Sequence, residues 1–176
     1  MIRVWDPFVR AFHWALVLSF ALAWLSSEDA EGLHAAAGYV AGALVAARVV
    51  WGFAGPRYAR FSQFVRPPQT VAAYLRAVAE GSERRFIGHN PAGGAMIVVL
   101  MAALTATAAT GWLLTTDAFW GATGAQRAHS IVAHGLLLFV LAHLAGVALA
   151  SIRHRENLIR AMVVGVKREA GPGDVA

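Results

Sequence analysis

Apolar residues run almost without interruption through four long segments of the chain, and polar residues collect between them. The segments cover about residues 8–27, 33–53, 91–116 and 128–152. A helix needs ~20 apolar residues to cross the hydrocarbon core of a bilayer, and each segment is long enough. The pattern predicts an all-α membrane protein, a four-transmembrane-helix bundle formed by one domain over residues 1–170. The last residues, 171–176, are expected to form a disordered tail.

The composition agrees with a membrane protein and excludes several other classes. The chain is 58% hydrophobic and 14% charged, whereas soluble domains have ~25% charged residues. The net charge of +5 does not call for a nucleic-acid partner, because basic residues in a membrane protein mark its cytoplasmic loops. The absence of cysteine rules out disulfides, thiolate metal sites and covalent attachment of haem.

The charges of the loops predict how the helices cross the membrane. Arginine and lysine collect in the N-terminus, in the long loop between the second and third segments, and after residue 152. By the positive-inside rule, both termini are cytoplasmic. The other two loops face outward and carry mainly acidic residues, namely Glu28, Asp29, Glu31 and Asp117 against Arg127. Two stretches, "TVAAYLRAVAEG" and "ENLIRAMVVGVK", are predicted surface helices, lying either on the membrane interface or in solvated loops.

Histidines lie in three of the four apolar segments. His129 and His143, in the last segment, are ~40° apart around a helix and ~21 Å apart along it, so they share a face at different depths. His13 lies near the inner end of the first segment and His34 near the outer end of the second. The inner half of the membrane therefore holds His13 and His143, and the outer half holds His34 and His129.

Paired imidazoles at one depth favour haem over other metal centres. A zinc site needs four ligands, and no Asp or Glu lies inside the segments to complete one. A haem iron needs only two axial imidazoles, because the porphyrin supplies the other four nitrogens. The competing interpretation of an intramembrane histidine is a proton relay or an interhelical hydrogen bond. That interpretation fits His134, which is off the shared face, as a polar contact inside the bundle.

Two arginines and two further histidines lie near the inner ends of the segments. Arg10 and Arg48 have two interpretations: they pair with haem propionates, or they reach the membrane interface by snorkelling. His89 and His154, in the cytoplasmic flanks, are expected to be solvated or to face lipid headgroups.

The chain resembles the bacterial dihaem b-type cytochromes of the cytochrome b-561 family, which includes the membrane cytochrome subunits of nickel–iron hydrogenases. The similar stretches are "VWDPFVRAFHW", "LHAAAGYVAGALVAARVVWGFAGPRYARFSQF", "GHNPAGG", the spacing of His129 and His143, and "HRENLIRAMVVGVKR". The resemblance implies two non-covalent haems b with bis-histidine ligation. One falls to His13 and His143, and the other to His34 and His129.

The resemblance also implies a function. It indicates a cytochrome of the bacterial inner membrane that moves electrons between a periplasmic redox protein and membrane quinone. Such a partner is a c-type cytochrome or a hydrogenase small subunit, and quinone oxidoreductase activity stays open. One alternative is superoxide oxidation at the outer face with reduction of quinone, although acidic outer loops would repel an anion. The other alternative is a haem-free transporter that uses its intramembrane histidines.

Overall fold

The computed structural model describes residues 1–175, and these residues are mostly helical. The helices are α1 (Pro7–Leu25), α2 (Glu31–Ala54), α3 (Phe61–Phe64), α4 (Pro68–Glu80), α5 (Pro91–Leu114), α6 (Thr123–Arg153) and α7 (Leu158–Val164). Two short strands, β1 (Ile2–Arg3) and β2 (Val166–Lys167), pair antiparallel, and a 3-10 turn covers Arg57–Ala59. Helices α1, α2, α5 and α6 are long and apolar enough to cross a membrane. Helices are therefore present over the four predicted segments and over the two stretches predicted as surface helices, where they are α4 and α7.

Side-chain caps and prolines set the starts of several helices. The Asp6 carboxylate accepts the backbone N–H of Val9 at 3.2 Å, just before Pro7 begins α1. The Asn90 side chain accepts the N–H of Gly93 at 2.7 Å, before Pro91 begins α5. An oxygen acceptor at the N-cap satisfies an N–H that has no partner within the helix, and proline suits the first helical position.

The chain divides into two compact units, which we call unit 1 (residues 1–10, 51–99 and 141–175) and unit 2 (residues 11–50 and 100–140). Unit 1 has a small apolar core of Val4, Trp5, Ile87 and Ala161. Beside it, backbone N–H groups of Val4 and Trp5 both donate to the carbonyl of Gly165, where the chain adopts a left-handed turn with φ of 85°. The N-terminal strand and the segment after α7 are thus tied together by backbone hydrogen bonds.

A buried cluster of charges fixes the rest of unit 1. The guanidinium of Arg85 donates to Glu156 at 2.6 Å and to Asp174 at 2.5 Å. The Lys167 ammonium lies 3.3 Å from Glu156 and also donates to the carbonyls of Phe86 and Ile87. The side chains of Arg85, Lys167 and Glu156 are only 3%, 4% and 8% exposed. Buried charges are stable when they are paired in this way.

The segment that we expected to be a disordered tail makes specific contacts. Asp174 pairs with Arg85, and Val175 exchanges backbone hydrogen bonds with residues 85 and 87. Residue 176 of the same tail lies outside the described residues. The difference from the expectation arises because the carboxylate of Asp174 pairs with the buried guanidinium of Arg85. A segment rich in glycine does not reveal such a pair from its composition.

In unit 2, small residues lie where the helices pack against one another. On α2, the buried positions Ala37, Ala41, Val45 and Arg48 recur every three or four residues and form one face. A Cβ added at Gly42 would lie 3.3 Å from the Cβ of Ala108 on α5, so glycine permits close approach of these two helices. The Tyr39 hydroxyl forms a hydrogen bond of 3.0 Å with the Thr115 hydroxyl.

Candidate functional site

Two of the histidines predicted to share a haem lie together in unit 2. The rings of His34 on α2 and His129 on α6 have their centroids 6.0 Å apart, and their planes are nearly perpendicular at 86°. Both side chains are half-buried. His34 lies one turn before Ala37 on α2. Its side chain is therefore on the same face as the buried positions of that helix.

Hydrogen bonds fix the same tautomer in both rings. Nδ1 of His34 lies 2.7 Å from the carbonyl oxygen of Ala23, and a carbonyl only accepts, so this nitrogen carries the proton. Nδ1 of His129 lies 3.0 Å from the Thr110 hydroxyl, whose own proton is donated to the Ala106 carbonyl at 2.8 Å. The hydroxyl therefore accepts from His129. Each ring keeps the lone pair of Nε2, the nitrogen that is left to bind a metal.

The geometry of this pair fits a b-type haem. With ring centroids 6.0 Å apart and Nε2 of each ring left to bind a metal, His34 and His129 would hold one haem iron between them. A Cβ added at Gly111 would lie 3.1 Å from Cε1 of His129, so glycine leaves the space that the ring occupies. Within residues 1–175, no three His, Cys, Asp or Glu side chains are grouped to hold a metal ion. A donor set of two imidazole nitrogens suits a metal whose other ligands come from a macrocycle.

The other two predicted ligands belong to different units. His13, in unit 2, is half-buried, and its ring meets the edge of Trp14 with centroids 5.1 Å apart. His143, in unit 1, is also half-buried on α6. Each side chain is therefore shielded from full exposure in its own unit, as a haem ligand would be.

The two predicted propionate partners differ in burial. Arg48 is 3% exposed and lies on the buried face of α2 that also carries His34. Arg10 is half-buried in unit 1, beside Gly165, and its Nε makes no hydrogen bond within the described part of the chain. Snorkelling predicts a guanidinium that extends out to the membrane interface, so the burial of Arg48 favours an interaction inside the protein.

The structure corrects the placement of three other histidines. His134 is exposed rather than inside the bundle; its Nδ1 donates to the Ser130 carbonyl at 2.8 Å, and its ring meets the edge of Trp24. His89 is not solvated but half-buried between the rings of Trp5 and Phe64, with centroid distances of 4.6 and 4.9 Å. His154 is also half-buried, and burial lowers the pKa of its imidazole.

Sequence reasoning missed the residues that support His129. Thr110 and Gly111 are adjacent on α5, where one orients the imidazole and the other makes room for it. The only signal in the sequence is a Thr-Gly pair inside a segment without charges, and helix packing explains that pair equally well.

Residues 4–165 match the prokaryotic cytochrome b561 family, and the chain belongs to this family. The family consists of b-type cytochromes that take part in membrane electron transfer, and it binds b-type haem. With its four helices of membrane-spanning length, the chain is a multi-pass bacterial membrane protein. Neither the comparison with curated proteins nor the comparison with solved structures returned a match.

Proposed function

We propose that the protein holds two b haems and carries electrons between a redox partner outside the cytoplasmic membrane and the membrane quinone pool. The observation that carries the proposal is the pairing of His34 with His129, whose Nδ1 atoms are both committed to hydrogen bonds. The second haem is assigned to His13 and His143, the pair that the sequence predicts for the inner half of the membrane; on α6, His143 follows His129 after 14 residues, or ~21 Å at 1.5 Å per residue.

The protein supplies orientation and electrostatics, while the haem iron supplies the one-electron redox change. The carbonyl of Ala23 and the hydroxyl of Thr110 hold the two rings of the first pair. Such hydrogen bonds make an imidazole a better donor to iron and so tune the potential. Arg48 is the cation that would offset the charge of a propionate inside the membrane.

The orientation in the membrane is part of the proposal. Both termini lie in the cytoplasm, because the basic residues collect in the segments that share that side. The loops with Glu28, Asp29, Glu31 and Asp117 then face outward. These four acids are exposed and form no ion pair within residues 1–175. They suit a basic partner, such as a small c-type cytochrome, better than the superoxide anion.

Haem quantification tests the proposal. The purified protein should contain two haems b per chain by pyridine haemochrome analysis, and a short-chain quinol should reduce both. One haem per chain would overturn the assignment of two haems. Two haems that no quinol reduces, but that a soluble reductant does, would overturn the assignment of quinone as the substrate.

A further inference from the structure

A polar ring faces outward from the middle of an apolar helix. His134 lies eleven residues after α6 begins at Thr123, which is ~16 Å along the helix. Its side chain is exposed, in a stretch from Ala128 to Ile152 that has no charged residue. Polar groups in hydrocarbon are rare and usually have a partner, so the exposed imidazole points to a contact beyond this chain.

The hydrogen bonds around His134 leave one donor and one acceptor without a hydrogen-bond partner within residues 1–175. Nδ1 of His134 donates to the Ser130 carbonyl at 2.8 Å, so Nε2 is an acceptor, and it makes no hydrogen bond within residues 1–175. The Ser130 hydroxyl is also exposed, and its one hydrogen-bonding contact within residues 1–175 is the same Nδ1 at 3.5 Å, which donates its proton to the Ser130 carbonyl. A hydroxyl donor and an imidazole acceptor therefore lie one turn apart on one face.

We infer that this face of α6 pairs with the same face of a second copy of the chain. All copies cross a membrane in one orientation, so a two-fold axis along the membrane normal brings residues of equal depth together. Side chains on a helix lean toward its N-terminus, and the His134 ring leans back to the level of Ser130. The Ser130 hydroxyl of each copy then donates to Nε2 of His134 in the other copy. The two-fold axis makes two such hydrogen bonds, so the hydroxyl and the imidazole of both copies have partners.

The neighbours of His134 have the spacing of a helix–helix seam. Ile131 and Leu138 lie three residues before and four residues after it, and each is 66% exposed. Apolar residues at alternating spacings of three and four form the contact line of two parallel helices, and one polar position in that line fixes the register. Arg127 continues the line at the watery end of the helix, where solvent screens its charge.

The polar pair distinguishes a second copy from lipid. Acyl chains cover Ile131 and Leu138 equally well, but they offer no hydrogen bond to Nε2 or to the hydroxyl. A second copy offers both, and at the same depth.

Cysteine crosslinking in native membranes tests the inference, because the chain has no cysteine of its own. Ile131→Cys and Leu138→Cys should each give a disulfide-linked dimer on mild oxidation. Phe139→Cys is the matched control, since its side chain is also exposed at nearly the same depth but lies ~100° around the helix from Leu138. It should crosslink at least five-fold less.

A second set of variants tests the hydrogen bonds. In the Leu138→Cys background, His134→Leu and Ser130→Ala should each lower the crosslinked fraction several-fold, while the haem spectrum keeps its intensity and so reports that the protein is folded. Equal crosslinking at residues 138 and 139, no crosslinking at either, a crosslink only to a different protein, or a fraction unchanged by His134→Leu would overturn the inference.

Discussion

Units 1 and 2 both contain buried polar groups, and they satisfy them in opposite ways. In unit 1, charges are paired with charges: Arg85, Lys167 and Glu156 use nearly all their hydrogen-bonding capacity on one another, on Asp174 and on backbone groups. In unit 2, the imidazoles of His34 and His129 are paired with oxygen atoms through Nδ1, and Nε2 of each ring is left to bind a metal. These charged groups of unit 1 have their partners within the protein and so stabilise the fold. His34 and His129 each keep one nitrogen that is able to bind a ligand.

The hydroxyl groups of unit 2 follow the same rule. Ser19, Ser26 and Thr107 donate to carbonyls one turn earlier in their own helices. Serine and threonine often bond in this way in apolar surroundings, because no water is present to do so. Within residues 1–175, these three hydroxyls therefore make no hydrogen bond to His34 or His129.

The largest expected effect comes from removing a ligand of the unit 2 pair. His34→Ala or His129→Ala should lower the haem content from two per chain to one, because the variant loses one of the two imidazoles that would hold this iron. Pyridine haemochrome analysis measures the loss. The control is His134→Ala, which should keep both haems. A variant His129→Ala that retains two haems would show that the pairing is wrong.

Unit 1 should respond through stability instead of haem content. Arg85→Met leaves the buried carboxylates of Glu156 and Asp174 with too little positive charge, and breaking such a buried pair costs about 3–5 kcal/mol. Thermal unfolding followed by tryptophan fluorescence should show a large fall in the midpoint. Arg84→Met is the matched control, because Arg84 is exposed and, within residues 1–175, donates only to the carbonyl of Gly173. Equal midpoints for the two variants would contradict the account of the cluster.

A smaller effect is expected where unit 2 makes room for a ligand. Gly111→Ala places a methyl group 3.1 Å from His129, so the ring must shift by a few tenths of an ångström. We expect the haem to remain bound and its midpoint potential to change, as a redox titration would show. Gly124→Ala is the control, since a Cβ there meets open space. If both variants have the wild-type potentials, Gly111 does not shape the site.

The apolar segments, and with them the four long helices, were predictable because hydropathy reports burial in lipid directly. The prediction that His34 and His129 lie at one depth came from the same positions, and the structure brings these two side chains together. The cluster around Arg85 was not predictable, because its partners Glu156 and Asp174 are 71 and 89 residues away in sequence. Nothing local distinguishes a buried arginine from the solvated arginines beside it. The exposure of His134 was also missed. Helical periodicity gives the face of α6 on which the side chain lies, but it does not say whether another helix covers that face.

The outer acids should affect rates without affecting stability or haem content. Exposed charges steer a partner over a Debye length of ~8 Å at physiological salt, so their contribution shows mainly in association. Changing Glu28, Asp29 and Glu31 to Gln or Asn should slow haem oxidation by a basic soluble cytochrome in stopped-flow measurements, with wild type and variant converging at high salt. Electron transfer to a neutral chemical oxidant is the control. A rate that responds neither to salt nor to the substitutions would rule out this docking surface.

The smallest expected effect is a pH dependence confined to unit 1. Burial lowers the pKa of His154, and the nearby cations Arg85, Lys167 and Arg168 lower it further, while Glu83 acts in the opposite direction. The folded protein therefore binds this proton less readily than the unfolded chain, whose histidine has a pKa of ~6.5. Stability contributed by neutral His154 is complete above that pH and is lost as the pH falls through the lower pKa of the folded state.

Glu156 and Asp174 do not obscure this window. Burial alone would raise the pKa of Glu156, but its hydrogen bond with Arg85 and the charge of Lys167 lower it. The pKa of Asp174 is lowered first by a backbone hydrogen bond from Gly171. Both carboxylates thus lose their contribution only below about pH 4, the ordinary range of such groups. The thermal midpoint of the wild type should fall modestly between pH 7.5 and 5.5, and His154→Gln should flatten that slope because glutamine does not titrate. An equal slope in wild type and variant would assign the pH dependence to another group.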